Sequence, residues 1–183
     1  CVAHAPQRIA GVAALPMQDI HAACDELERA VLQLGLLGGY IGTDIGRHLD
    51  SPELDPFYEK LVALNVPLFI HPAPSGIDGP SGDANLNQDE LDMLVGFAAQ
   101  ETLAVATLIF GGVLERHPQL DVCFSHAGGA VPMLIGRLNE ASRRRPWVSE
   151  ALQKEGAFES YLAKLWFDVH VHDQRVGAFI TGV

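Results

Sequence analysis

Two histidines each close a short apolar run. His71 ends Val66-Pro67-Leu68-Phe69-Ile70, and His126 ends Leu120-Asp121-Val122-Cys123-Phe124-Ser125 and is followed by Ala127-Gly128-Gly129-Ala130. Side chains at the C-terminal ends of strands in parallel α/β proteins point into the ligand site. A neutral imidazole there can ligate a metal ion, and a second can carry a proton. Residue type and placement together point to catalysis. A lone strand-end histidine is more often a satisfied structural residue, so the surrounding elements must decide.

The other histidines are weaker candidates. His4, His21, His48 and His117 lack strand-end placement and read as surface or loop residues. His170 and His172 alternate in Phe167-Asp168-Val169-His170-Val171-His172. Residues two apart on a strand share a face, so both imidazoles could meet one ion. The preferred reading makes them scaffold histidines near the rim of a site.

Strand-like and helix-like segments alternate along the chain. Residues 8–15 are short, apolar and stop at Pro16, as a buried strand would. Asp19 caps a predicted helix that Gly35 ends. Residues 36–42 form a second predicted strand. Ser51-Pro52 starts a helix whose apolar face carries Leu54, Phe57, Leu61 and Leu64, and residues 66–70 make the third strand. The Gly/Pro/Asp/Asn-rich residues 73–87 form a loop placed where an active-site lid would sit. A helical region over 89–110 is expected to break near Gly96. The fourth strand covers 120–125, and a helix over 128–144 contains Pro132 in its first turn. Residues 151–164 read as a helix broken at Gly156, 165–171 as the fifth strand, and Asp173 as the cap of a last short helix.

Five strands separated by helices imply parallel βαβ units with right-handed crossovers. A doubly wound sheet and part of a (β/α)8 barrel both fit. No glycine-rich phosphate fingerprint follows any strand, which disfavours a dinucleotide site. The 183 residues carry a net charge of −11, which would repel nucleic acid. Apolar content of 48% and charged content of 19% suit one globular domain over residues 1–183. Arg143-Arg144-Arg145 reads as a solvated helix end. No apolar run of membrane-spanning length and no signal peptide are apparent, and Cys1, Cys24 and Cys123 form no disulfide framework. The expected setting is the cytoplasm.

Several stretches resemble the metal-dependent decarboxylase branch of the amidohydrolase superfamily, which takes in muconate-semialdehyde and γ-resorcylate-type aromatic-acid decarboxylases. They are residues 11–18, Leu68-Phe69-Ile70-His71-Pro72, Leu94-Val95-Gly96, Gln100-Glu101-Thr102, residues 111–116, and residues 122–132 running into Ile135-Gly136-Arg137. They occur in family order over nearly the whole chain. The resemblance implies a (β/α)8 TIM barrel, here a partial one lacking its first and last strands. Those strands carry a His-x-His or Glu-x-His metal pair and a metal-binding aspartate in the family; nothing before Arg8 supplies the pair, His170-Val171-His172 only mimics it late in the sequence, and no stretch like the aspartate-bearing one occurs within residues 1–183.

The resemblance also implies roles. His71 corresponds to a metal ligand for Zn2+ or another divalent ion, and His126 to the acid/base histidine. Arg137 corresponds to an arginine that holds a substrate carboxylate in a neighbouring subunit's site, which implies a homodimer. The implied reaction is decarboxylation of a small carboxylated aromatic or muconate-semialdehyde-type substrate. The alternatives are a hydrolase or hydratase of the same superfamily, or a non-catalytic truncated chain. Glu101 is left unassigned, as helix-face or supporting residue, and the roles of Asp168, His170 and His172 stay open.

Overall fold

The computed structural model describes residues 2–73 and 83–181. Part of the expected lid, residues 74–82, lies outside the described residues. Five strands make one sheet: β1 (Ala13–Ala14), β2 (Gly39–Gly42), β3 (Leu68–His71), β4 (Val122–Phe124) and β5 (Trp166–Phe167). Every neighbouring pair is parallel, and the spatial order is the sequence order. A doubly wound sheet reverses its strand order at a switch point. A barrel adds each strand beside the last. The order here is the barrel's, so the chain forms an arc of a (β/α)8 barrel.

The helices between the strands are α1 (Ile20–Leu32), α2 (Asp55–Leu64), α3 (Phe97–Phe110), the single turn α4 (Val113–Arg116), α5 (Val131–Arg144), α6 (Ala157–Leu162) and α7 (Gln174–Thr181). Their starts follow local chemistry. Asp19 Oδ1 accepts hydrogen bonds from the His21 and Ala22 amides at 2.9 and 3.1 Å, which caps α1. Ser51 Oγ accepts from the Glu53 amide ahead of α2. Asn65 takes the left-handed conformation that closes α2.

Burial alternates along the central strands and sorts the two faces of the sheet. Leu68, Ile70, Val122 and Phe124 are at most 1% exposed and pack with Phe57, Tyr58, Leu61, Leu108 and Phe158 of the helical layer. The alternate residues Tyr40, Phe69, His71 and Cys123 are partly exposed on the other face. This period-two pattern buries one sheet face under helices, and it puts His71 on the open one.

Three expectations are corrected. β1 and β5 are two residues each rather than the longer runs 8–15 and 165–171. The Asp168 amide still donates to the Phe124 carbonyl at 3.0 Å, and beyond it the Asp168 carboxylate accepts from the His170 amide at 3.0 Å, a local turn that replaces further strand pairing. Residues 151–156 form turns, and the helix begins only after Gly156, whose φ is 71°. A membrane-length apolar run is present: Asp92–Phe110, a π-helical turn continuous with α3, has 19 residues and a mean hydropathy of 1.7. Its far half is nonetheless core helix. Ala104, Val105, Leu108 and Ile109 are at most 4% exposed, and Glu101 is fully buried with a polar partner.

Candidate active site

The parallel register that aligns Ile70 with Phe124 sets His71 and His126 at adjacent strand ends. Their ring centroids are 5.3 Å apart at an interplanar angle of 63°. Phe97, at the start of α3, lies 5.7 Å from His71 and 5.4 Å from His126, closing one side with an apolar ring. His170 stands 5.2 Å from His126, and His172 stands 4.9 Å from His170. The four imidazoles form a row from the partly buried His71 and His126 to the exposed His170 and His172. A cavity of about 310 Å3 adjoins Pro72 and is also lined by Leu15, Met17, Tyr40, Ile41 and Ala73.

The hydrogen bonds of the two rings differ. Nδ1 of His71 lies 3.1 Å from the Pro72 carbonyl oxygen. A carbonyl only accepts, so Nδ1 carries the proton, and the Nε2 lone pair is available to a ligand. His126 Nε2 is buried and has no partner among the described residues. Burial lowers the His126 pKa below the ordinary histidine value. His71, His170 and His172 push it the same way, and Asp168 opposes them. The imidazole is therefore neutral at pH 7.

The backbone around His126 is strained and tied down. His126 and Ala127 have φ of 50° and 56°, a left-handed conformation that costs a residue bearing a Cβ. Gly128 and Gly129 follow with φ of 69° each. A Cβ on Gly128 would come within 2.5 Å of the Phe167 ring, and one on Gly129 within 2.1 Å of the Ala98 carbonyl oxygen. Three side chains hold this turn. Ser125 Oγ lies 2.7 Å from Glu101 Oε1, Asp168 Oδ1 accepts from the Ala127 amide at 3.2 Å, and Thr102 Oγ1 accepts from the Ala130 amide at 2.8 Å.

Glu101 is fully buried, and its Oε2 has no partner among the described residues. Burial pushes its pKa up to about 8; the Ser125 hydrogen bond lowers it, and the Asp168 charge adds to the rise. Sequence reasoning left Glu101 unassigned and gave Thr102 no role. The only signal was their place in the stretch Gln100-Glu101-Thr102, because α3 is apolar all round and offers no polar face to mark a buried acid.

Arg137 is exposed on α5 and makes no ion pair among the described residues. It does not join the histidine pair within the chain. Arg144 pairs with Glu140 on the exposed side of the same helix, as a solvated helix end does. His117 is not the surface residue its sequence context implied. It is 8% exposed, and its Nε2 lies 2.9 Å from Asp55 Oδ1. Among the described residues, no group of three or more His, Cys, Asp or Glu side chains is arranged to hold a metal ion.

The family model for amidohydrolases matches residues 1–178. The chain belongs to the amidohydrolase family. Over all 183 residues this amidohydrolase chain is 37% identical to 2-amino-3-carboxymuconate-6-semialdehyde decarboxylase of Dictyostelium discoideum, covering 49% of that protein. It is 29% identical over 156 residues to γ-resorcylate decarboxylase of Rhodococcus jostii, which is 78% of the chain and 45% of that protein. It is 31% identical over 178 residues to 2-keto-4-carboxy-3-hexenedioate hydratase of a Sphingobium strain, which is 92% of the chain and 47% of that protein. The chain spans about half the length of these relatives.

Solved structures agree on the fold. The crystal structure of 5-carboxyvanillate decarboxylase from Sphingomonas paucimobilis superposes with a TM-score of 0.86 at 22% identity, covering the whole chain and 55% of that structure. A dihydroxybenzoic acid decarboxylase from a Polaromonas strain, with bound manganese and the inhibitor 2-nitroresorcinol, superposes with a TM-score of 0.74 at 25% identity. That match covers 91% of the chain and 52% of the structure.

Proposed function

We propose that this chain is part of a metal-dependent carboxy-lyase that removes carbon dioxide from a small carboxylated aromatic or muconate-semialdehyde-type substrate. The observation that carries the reading is the pair of strand-end imidazoles: one with a free Nε2 lone pair, the other with a buried, unpartnered Nε2 5.3 Å away between ring centroids. Decarboxylases among the relatives and fold neighbours support it.

The residues present fit part of a divalent metal site. His71 presents Nε2, with its tautomer fixed by the Pro72 carbonyl, as a ligating imidazole requires. A full coordination shell needs further ligands beyond the histidines described here. A divalent cation held at His71 supplies Lewis-acid polarisation of an oxygen ligand. The family resemblance implies Zn2+ or another divalent ion, and the manganese in the Polaromonas structure makes Mn2+ the other metal to load.

His126 is the proton carrier. Its neutral imidazole takes up a proton from solvent and delivers it to the substrate carbon; the electron pair of the breaking carbon–carboxylate bond stays on that carbon and takes the proton, and carbon dioxide leaves. Phe97 excludes water from one side of the ring pair. Arg137, exposed and without an ion pair among the described residues, holds a substrate carboxylate through its planar guanidinium in the site of a second subunit, which makes the enzyme a homodimer. Its setting is the reducing cytoplasm, in keeping with the free thiols of Cys24 and Cys123.

The hydratase relative favours one second reading, in which the same histidine moves a proton to or from water adding across a double bond. Carbon dioxide release from hydroxylated benzoates and from 2-amino-3-carboxymuconate semialdehyde, measured with protein loaded with Mn2+ or Zn2+, separates the two. Release dependent on His126 supports the lyase. Hydration of a carboxylated alkene without carbon dioxide release would replace it with the hydratase.

A further inference from the structure

Ser125 sits directly before His126 and touches two elements at once. Its Oγ is 2.7 Å from Glu101 Oε1 on α3 and 3.3 Å from the carbonyl oxygen of Ile70, the residue before His71. The Ser125 amide also donates to that Ile70 carbonyl at 3.2 Å. One serine therefore links α3 to the ends of both strands that carry the histidines. We propose that Glu101 is a positioning residue, which holds the His126 imidazole against His71 by bonding the Ser125 hydroxyl.

Donor counting and burial together set the form in which it acts. A serine hydroxyl carries one proton. With Glu101 ionised, that proton serves the carboxylate, and the Ile70 carbonyl keeps the Ser125 amide as its donor. With Glu101 protonated, the acid O–H donates to Ser125 Oγ, and the hydroxyl donates onward to Ile70. The protonated form also leaves the unpartnered Oε2 uncharged, which is far less costly in a fully buried position. The burial that pushes the Glu101 pKa up to about 8 supports this form.

The turn needs such a clamp. His126 and Ala127 are both in the left-handed region, which a chain leaves unless its surroundings over-determine it. Glu101 grips the turn just before His126. Thr102, the next residue of α3, grips it at Ala130, with its own hydroxyl donating to Ala98 at 2.7 Å. Asp168 holds the middle from the opposite element. Without the Glu101 contact, the residue preceding His126 is free to relax, and the ring loses its fixed relation to His71.

The inference rests on the proposed role of His126 for its catalytic consequence but not for its geometry, so the test reads both. The protein is labelled with 15N-histidine, and the ring signals of His71 and His126 are recorded without metal. Turnover is then measured with Mn2+ added, for wild type, Glu101→Ala, Glu101→Gln and Ser125→Ala. In E101A and S125A the His126 ring signals shift or broaden, and kcat falls about 100-fold, as misplacement of a catalytic group does, while KM stays within about twofold. E101Q, whose amide can donate to Ser125 Oγ, recovers at least about tenfold of the kcat lost in E101A and restores the His126 signals. His126 signals in folded S125A that overlay those of wild type would overturn the proposal, and so would E101Q no better than E101A. A wild-type protein without turnover removes the proposed function, and the ring signals of E101Q and S125A then decide the clamp on their own.

Discussion

His117 and His126 flank the same strand and have opposite surroundings. His117 lies before β4, where its Nε2 donates to Asp55 Oδ1 while Arg116 Nε donates to the same oxygen at 3.1 Å. The Tyr58 ring packs 5.5 Å away, with its hydroxyl donating to the Leu49 carbonyl at 2.6 Å. Every polar group named there has a partner. His126 lies after β4 with Nε2 unpartnered, a left-handed backbone, and a buried acid beside it whose second oxygen is also unpartnered. Burial alone does not separate a structural histidine from a functional one. In the proposed reading satisfaction does: the first site spends its polar groups on the fold, and the second keeps one in reserve at a strained turn.

Exchange of the two histidines gives the largest test of that contrast. His126→Ala lowers turnover by about 10²–10⁴-fold, the usual worth of a general acid/base. His117→Ala leaves turnover within about twofold but costs about 1–3 kcal/mol of stability, because Asp55 loses a buried partner. Steady-state kinetics and urea unfolding on both variants check this. If H117A loses turnover and H126A loses only stability, the comparison is reversed.

The two acids divide the pH axis. Burial raises the Asp55 pKa, but hydrogen bonds from His117 and Arg116 and their charges outweigh it and hold the carboxyl below the ordinary aspartate range. Its stabilising contribution is present above that range and is lost as pH falls through the depressed value. Glu101 has the opposite sign. Its folded pKa of about 8 means the native state keeps a proton that the unfolded chain has released. Stability is full below the ordinary glutamate range and declines, by up to roughly 1.4 kcal/mol per pH unit, until about pH 8. In unfolding measured against pH, E101Q flattens the neutral limb and Asp55→Asn flattens the acid limb. An unchanged neutral limb in E101Q would show that Glu101 is ionised in the folded protein.

Two left-handed glycines sharpen the contrast at smaller scale. Gly129→Ala forces a Cβ onto the Ala98 carbonyl and costs about 3 kcal/mol. Gly156→Ala, where no neighbouring atom lies within 4 Å, costs only the left-handed conformation, about 1 kcal/mol. Thermal unfolding of the two variants reads the difference, and equal losses would mean that the turn after His126 yields more readily than its ties imply.

The sequence shows what is local. The Asp19 cap, the Ser51-Pro52 helix start and the strand runs ending at His71 and His126 all rest on neighbouring residues, and all appear in the structure. What it hides is set by distant partners. His117 looks like a loop residue in Arg-His-Pro until Asp55, 62 residues away, accounts for its burial. Glu101 meets Ser125 only after β4 has aligned beside β3. The residues after Phe167 alternate like a strand, yet the Asp168 carboxylate bonds the Ala127 and His170 amides and ends the pairing there. The order of the segments left a doubly wound sheet and a barrel open, the resemblance pointed to the barrel, and the contact between Glu101 and Ser125 was not legible at all.

The central claim is the division of labour between His71 and His126, and calorimetric titration of the protein with Mn2+ tests it most directly when paired with turnover. His71→Ala should weaken Mn2+ binding by about 100-fold or more and abolish turnover with it. H126A should bind Mn2+ as wild type does and turn over no substrate. Equal loss of metal binding in both variants would contradict the account, since the two imidazoles would then be two ligands of one ion and not a ligand beside a proton carrier.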